Sequence, residues 1–197
     1  MKKLILSAAL TASFGLVALQ ASAADGVITF TGEVTDVTCS LSGGGAATGT
    51  GDLTVALPTV GAGSLSADGQ TVGDTNFSLV LGGDESCSNG KTAAMWIESS
   101  ATPALDAATG ALKNQRADGA ENVQVRLINP ANSQPINLAV NADVVNGASV
   151  VASSNQPAAS ISGNTATLNY TAQYLASGGA ATAGQVSTYL TYSMQYN

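Results

Sequence analysis

Apolar residues recur at every second position in short runs along this chain, and no long segment repeats them at intervals of three and four. The runs fall at 27–37, 53–57, 77–81, 93–97, 123–128, 136–140, 148–151, 166–175 and 186–196. Between them lie turn-forming clusters: Gly43-Gly44-Gly45, Gly61-Ala62-Gly63, Gly82-Gly83-Asp84, Ser88-Asn89-Gly90, Asn129-Pro130, Ser162-Gly163-Asn164 and Ser177-Gly178-Gly179. A period of two sends successive side chains to opposite faces of a strand, so each run predicts a strand with one apolar face. Many short strands at this spacing predict an all-β fold, an antiparallel sandwich or barrel, in one domain. The Ala/Gly/Ser-rich stretches at 42–51 and 176–184 read as mobile surface loops.

The two ends of the chain carry the strongest pattern. Near the C-terminus, Val186, Leu190, Tyr192, Met194 and Tyr196 share one face, interrupted only by Thr188. Gln185, Ser187, Thr191, Ser193, Gln195 and Asn197 alternate with them, with Tyr189 the apolar exception. A strand that runs to the chain end is expected to be paired and pinned. Near the start, Ile28, Phe30, Gly32 and Val34 share one face, and Thr29, Thr31, Glu33 and Thr35 the other. Gly32 leaves a gap in that apolar face.

Residues 1–23 have the build of a cleaved signal peptide: Lys2 and Lys3, an apolar core over 4–19, and Ala21-Ser22-Ala23 as the small-residue cleavage pattern. The run is short for a membrane anchor and no stop-transfer charges follow it. The remaining chain, 24–197, is long enough to bury one core. It keeps four cations (Lys91, Lys113, Arg116, Arg126) against thirteen carboxylates, a net charge of about −9. Such a surface repels nucleic acid and anionic lipid. Two cysteines, Cys39 and Cys87, predict one disulfide in an exported protein. The loop it closes, about 50 residues, corresponds to a stabilisation of about 4 kcal/mol.

Candidate chemistry is sparse. The chain has no histidine, so serine lacks the base of a Ser–His–Asp site, and two thiols alone make a poor zinc site. Gly49-Thr50-Gly51 lacks the Gly-Lys-Ser/Thr of a phosphate loop, and Gly51-Asp52-Leu53 is a single fragment of a calcium repeat that works only in arrays. Asp84-Glu85 reads as a solvated turn, because strand neighbours point to opposite faces. Trp96, in Ala93-Ala94-Met95-Trp96-Ile97, reads as a buried core aromatic before a sugar platform. No cofactor, metal or catalytic group is expected.

The ordered set of features resembles one family. Gly26-Val27-Ile28-Thr29-Phe30-Thr31-Gly32-Glu33-Val34 followed by Cys39 resembles the N-terminal extension and first cysteine of pilin subunits of the chaperone–usher (type 1 and P-like) pathway. Val123-Gln124-Val125-Arg126-Leu127-Ile128-Asn129, Pro135-Ile136-Asn137-Leu138 and Tyr170-Thr171-Ala172-Gln173-Tyr174 resemble later segments. The penultimate Tyr196, the alternation before it and Gly184, fourteenth from the end, resemble the family's terminal strand. The resemblance spans the chain after the leader. It implies an immunoglobulin-like sandwich that lacks its last strand and is completed by donor-strand complementation. Residues 24–36 would then be a donor extension and 37–197 the pilin domain. Ile28, Phe30 and Val34 would plug a neighbour, with Gly32 leaving room for the neighbour's core. Gly184, Val186, Leu190, Tyr192, Met194, Tyr196 and Asn197 would border the groove and form the strand that chaperone and usher contact.

The implied partners are neighbouring pilin subunits in a homopolymer, a periplasmic chaperone, an outer-membrane usher and a tip adhesin. The implied location is an extracellular fimbrium on a Gram-negative cell, reached through the periplasm. A minor or tip subunit that binds a receptor is the alternative role. Tip adhesins of this family usually carry a further receptor-binding domain and lack the donor extension, so the single domain and the extension favour a shaft subunit. An outer-membrane barrel would show aromatic girdles, against 5% aromatic residues and one tryptophan here. An enzyme is the least supported class.

Overall fold

A computed structural model describes residues 29, 34, 39–83, 87–141 and 154–197, with the backbone alone of 144–145 and 149–150. The leader, Ile28, Phe30, Gly32 and the Asp84-Glu85 turn lie outside the described residues. The chain divides into two compact units, Met1–Val34 and Thr35–Asn197. In the first, Thr29 and Val34 are exposed, Val34 completely at 101%.

The second unit is built from strands β1 (Leu41–Gly45), β2 (Ala47–Thr50), β3 (Asp52–Val55), β4 (Thr71–Gly82), β5 (Thr92–Ile97), β6 (Leu105–Asp106), β7 (Ala111–Lys113), β8 (Val123–Asn129), β9 (Gln134–Pro135), β10 (Val144–Val145), β11 (Ser149–Val150), β12 (Ala158–Ser160), β13 (Thr165–Ala176) and β14 (Tyr192–Tyr196). Two short 3-10 turns, Ala62–Leu65 and Ser99–Ala101, are the helical elements among the described residues. The larger sheet runs β3-β2-β1-β4-β13-β8-β7-β6, with β9 on β8. The smaller runs β12-β5-β14, and β10-β11 form a separate hairpin. All these pairings are antiparallel.

Register follows from the alternation. β4 and β13 pair Leu79 with Leu168, Phe77 with Tyr170 and Leu81 with Ala166, so both apolar faces fall on one side. From the smaller sheet Met95 and Ile97 close on this face, and the two sheets form a sandwich. The Phe77 and Tyr170 rings stack at 5.3 Å. Each fully buried aliphatic side chain, such as Leu81 or Leu168, contributes about 1.5–3 kcal/mol. The predicted disulfide joins Cys39, just before β1, to Cys87, beyond β4.

Four expectations change. Gly43-Gly44-Gly45 lie in β1, paired with β4, and 42–51 is largely strand instead of loop. Residues 136–140 form no strand, although Ile136 and Leu138 are fully buried; single backbone bonds to Leu127 and Gly110 hold them. Trp96 is 36% exposed, because Ala93, Met95 and Ile97 take the inner face of β5 and parity turns Trp96 outward. Of the 176–184 stretch, Ala176 ends β13 and the rest is irregular but pinned: Ala181 N donates to Leu65 O (2.8 Å), Thr182 N to Glu121 O (3.1 Å) and Gly178 N to Asp68 Oδ1 (2.7 Å).

Candidate functional site

The site forms around the C-terminal segment. A regular strand was expected over 186–196, but only Tyr192–Tyr196 forms one, paired with β5. Its ladder ends in a reciprocal pair: Thr92 N donates to Asn197 O (2.8 Å) and Asn197 N to Thr92 O (3.0 Å). Upstream, residues 185–191 keep the alternation, with even positions half-buried and odd ones mainly exposed. They lack a ladder because β5 has ended, and the chain beside them, 98–120, turns too often to form one.

Side chains and single peptide groups replace the ladder. Gln115 N donates to Ser187 O (2.8 Å) and Ala120 N to Gln185 O (3.0 Å). Asn114 clips the same stretch: Ser187 N donates to its Oδ1 (2.9 Å) and its Nδ2 donates to Gln185 O (3.0 Å). Further along, Thr191 N donates to Thr102 Oγ1 (3.0 Å) and Glu98 N to Thr191 O (2.9 Å). Gly184 explains itself sterically. A Cβ there would lie 2.4 Å from Ala120 N and 2.7 Å from Gly119 C, so only glycine lets the two backbones approach.

All these bonds leave from one edge of the segment. In an extended strand the peptide groups of alternate residues point to opposite edges. Residues 185, 187 and 191 bond inward to 98–120, so Val186, Thr188 and Leu190 present their N–H and C=O to the other edge. Among the described residues, no hydrogen bond reaches those groups.

Beside that edge lies a groove. One recess, about 570 Å³, has Leu53, Val55 and Leu57 on one wall and Val186, Leu190 and Tyr192 on the other. Its floor includes Leu79, Met95 and Leu127, which belong to the sandwich core. A second recess, about 480 Å³, shares Leu57 and Val186 and continues past Gly184 to Leu65 and Arg116. Tyr192 marks one end, its hydroxyl donating to Gly51 O (2.6 Å). Met194 and Tyr196 continue the apolar face into the core beyond that end, and Asn197 lies at the end of the β5 ladder. The core therefore reaches the surface along 184–192, and β3, the other wall, is itself a sheet edge.

No charged side chain lines the first recess, and Arg116 is the one that lines the second. Burial, and secondarily the nearby Asp52, raises the Tyr192 phenol above its ordinary value. Burial also raises Tyr196, opposed by a hydrogen bond with the Cys39 backbone. Both stay neutral at physiological pH. Thr188 Oγ1 is buried with no hydrogen-bond partner. No cluster of three or more metal-binding side chains occurs among the described residues. The arrangement, an apolar recess beside an unbonded backbone edge, suits the addition of a strand. Two of its components carried no sequence signal: the clips Asn114 and Thr102 are isolated polar residues in irregular chain. The opposite wall did carry one, the alternation of Leu53, Val55 and Leu57.

Comparison with known proteins decides the family. Residues 57–197 match the family described as FimA: Type-1 fimbrial protein, A. The chain is 37% identical to the F17 fimbrial protein of Escherichia coli over 188 residues, 92% of this chain and 95% of that protein. The chain belongs to the type-1 fimbrial protein family. It is 38% identical to the major fimbrial subunit SMF-1 of Stenotrophomonas maltophilia over 181 residues, covering 91% of this chain and 96% of the relative. Among solved structures, the P pilus rod subunit PapA aligns with a TM-score of 0.50 at 17% identity, over 81% of this chain and 99% of that one, which shows the shared immunoglobulin-like fold. As a member of this family the protein is a fimbrial subunit of chaperone–usher type, exported and assembled with neighbouring subunits into extracellular fimbriae on a Gram-negative cell. The family is one of structural subunits.

Proposed function

We propose that this protein is the repeating shaft subunit of its fimbria and that the groove receives a strand from the neighbouring subunit. Residues 1–23 are the signal peptide removed on export. Residues 24–36 are the donated extension, and 37–197 form the domain that accepts it. In the periplasm a chaperone strand fills the groove; at the outer-membrane usher the extension of the next subunit replaces it.

The observation that carries this reading is the coincidence of two exposures: core side chains on the groove floor, and the unbonded backbone edge of Val186, Thr188 and Leu190 beside it. Each alone is a liability in an exported protein, inviting aggregation or strand pairing. One extended apolar segment resolves both. Burying Ile28, Phe30 and Val34 of a neighbour contributes about 1.5–3 kcal/mol each, and every ladder hydrogen bond adds about 1 kcal/mol. Gly32 keeps the donated strand from overpacking the groove. The shaft role is supported by the relative named a major fimbrial subunit and by the structural neighbour named a rod subunit.

The test is Gly32→Leu in the full chain. The variant subunit is expected to remain soluble with the periplasmic chaperone and to form no fibres. Normal, heat-resistant fibres built of the variant would refute strand donation by this segment.

A further inference from the structure

The larger sheet carries another recess of about 570 Å³, which shares only Phe77 with the groove. It arises where β13 outruns its neighbour. β8 pairs with β13 only over residues 171–176, because the chain turns at Asn129 and Pro130 has no N–H with which to extend a ladder. An isolated bridge joins Ser162 to Thr165 further along, so residues 166–170 have no ladder on that side. Residues 129–131 and 157–158 line the recess beside this gap. Asparagines tie the two linings together. Asn129 Nδ2 donates to Asn155 O (3.1 Å), Asn132 Nδ2 to Asn155 Oδ1 (2.7 Å) and Ala131 N to Asn129 Oδ1 (3.0 Å). The recess is therefore formed before any ligand arrives, which lowers the cost of binding one.

Its polar side chains are unengaged, unlike their neighbours along the same strand. On β13, Thr165 Oγ1 donates to Leu81 O (2.9 Å) and Thr171 Oγ1 to Asn76 Oδ1 (2.6 Å). Between them, Thr167 and Asn169 make no side-chain hydrogen bond among the described residues. Neither does Ser78, which lies directly opposite Asn169 in β4. Asn76 keeps its Nδ2 unbonded beside them. Alternation puts all four on the face turned away from Leu79 and Leu168. The unengaged groups thus gather where a concavity leaves room for a ligand.

The lining selects the class of ligand. Among the described residues no charged side chain lines the recess, so an ionic ligand finds no counter-charge there. The net charge of about −9 further disfavours an anion. Hydroxyls and carboxamides both donate and accept, as the hydroxyls of a sugar do. Pro130 and Pro157 add apolar C–H surface. A neutral pyranose combines the matching features, a ring of hydroxyls with apolar C–H patches between them. A few exposed hydrogen bonds make each site weak. Repetition along a fibre turns weak sites into firm attachment, and only that repetition rests on the shaft reading.

We propose that this recess binds a neutral saccharide through Ser78, Thr167, Asn169 and the Nδ2 of Asn76, and that the fibre holds glycan surfaces along its length. The test uses fimbriae sheared from cells that express the full chain. Saturation-transfer NMR is recorded with the methyl glycosides of galactose, mannose and N-acetylglucosamine, with N-acetylneuraminic acid as the anionic comparator and acetyl-trialanine amide as the peptide comparator. At least one neutral glycoside is expected to receive saturation from native fibres, and more of it than either comparator. That signal is expected to fall at least about fivefold in Thr167→Val/Asn169→Ala fibres. Those fibres should assemble as the native ones do, since neither side chain is bonded within the subunit, and the loss separates the shaft's signal from that of a tip adhesin. Should the double variant not assemble, Ser78→Ala fibres carry the same comparison. Saturation of none of the three glycosides, an undiminished signal in the variant fibres, or a stronger signal from either comparator would overturn the site; fibres that form normally in every case would leave strand donation untouched.

Discussion

Residues 185–191 and 192–196 share one hydrophobic pattern and have opposite fates. In the second stretch, every inward side chain is matched by ladder pairing to β5, from Tyr192 opposite Ile97 to Tyr196 opposite Ala93. In the first, the side chains still point inward, but Asn114, Gln115 and Thr102 hold one edge and nothing among the described residues holds the other. Alternation states which face a residue takes. It does not state whether the backbone finds a partner, because the partner belongs to another part of the chain or to another chain altogether. Residues 192–196 complete a ladder within this subunit, and residues 185–191 are held only by isolated bonds along one edge.

A carboxylate on the inner face breaks the comparison most sharply. Met194→Asp places a charge on a half-buried side chain packed against the core within the strand paired to β5, and is expected to destabilise the subunit by about 1–3 kcal/mol. Leu190→Asp places it on the groove wall, where water still reaches it before assembly. That variant is expected to fold and to fail in fibre formation. Circular dichroism of the purified subunits and electron microscopy of cells would read the two outcomes; equal loss of folding in both would erase the distinction.

Gly184→Val sharpens the boundary. Its new side chain meets the Gly119–Ala120 backbone, which cannot retreat as a flexible side chain would. Loosening of 184–187 is expected at a cost of about 1–3 kcal/mol, measured as a lower thermal midpoint. An unchanged midpoint would mean that the clip region is already loose.

Tyr192→Phe removes the bond to Gly51 and should cost about 1 kcal/mol at neutral pH. It should also soften the alkaline transition. Burial raises Tyr170, Tyr174, Tyr192 and Tyr196, so the folded subunit retains phenol protons that an unfolded tyrosine releases near about pH 10. Their contribution to stability is complete below that pH and is lost as pH rises through the raised folded values. Urea midpoints between pH 8 and 11 should fall in the native chain and fall less in Tyr192→Phe.

Much of this was legible in the residues. The alternation of 166–175 and 77–81 predicted the central strand pair, and the exported character of the chain predicted the Cys39–Cys87 bond. The glycine triplet misled because glycine serves two purposes. Gly43 sits in a strand where a Cβ would lie 2.7 Å from the Ala47 carbonyl, a close approach that looks like a turn in sequence. Trp96 misled for another reason: large aromatics suggest core, yet the parity of Ala93, Met95 and Ile97 already turned it outward. The limits of the regular C-terminal strand were not legible, because they depend on where β5 stops and on the placement of Asn114 and Thr102 in folded space.

The central claim is that the groove edge of 186–190 is unpaired in one subunit and paired in the fibre. Amide hydrogen exchange measures this directly. Val186, Thr188 and Leu190 are expected to exchange rapidly in the monomeric subunit, while Ser193 and Gln195 exchange slowly, and all five to be slow in the assembled fibre. Protection of Val186, Thr188 and Leu190 already in the monomer, or their continued rapid exchange in the fibre, would contradict the account.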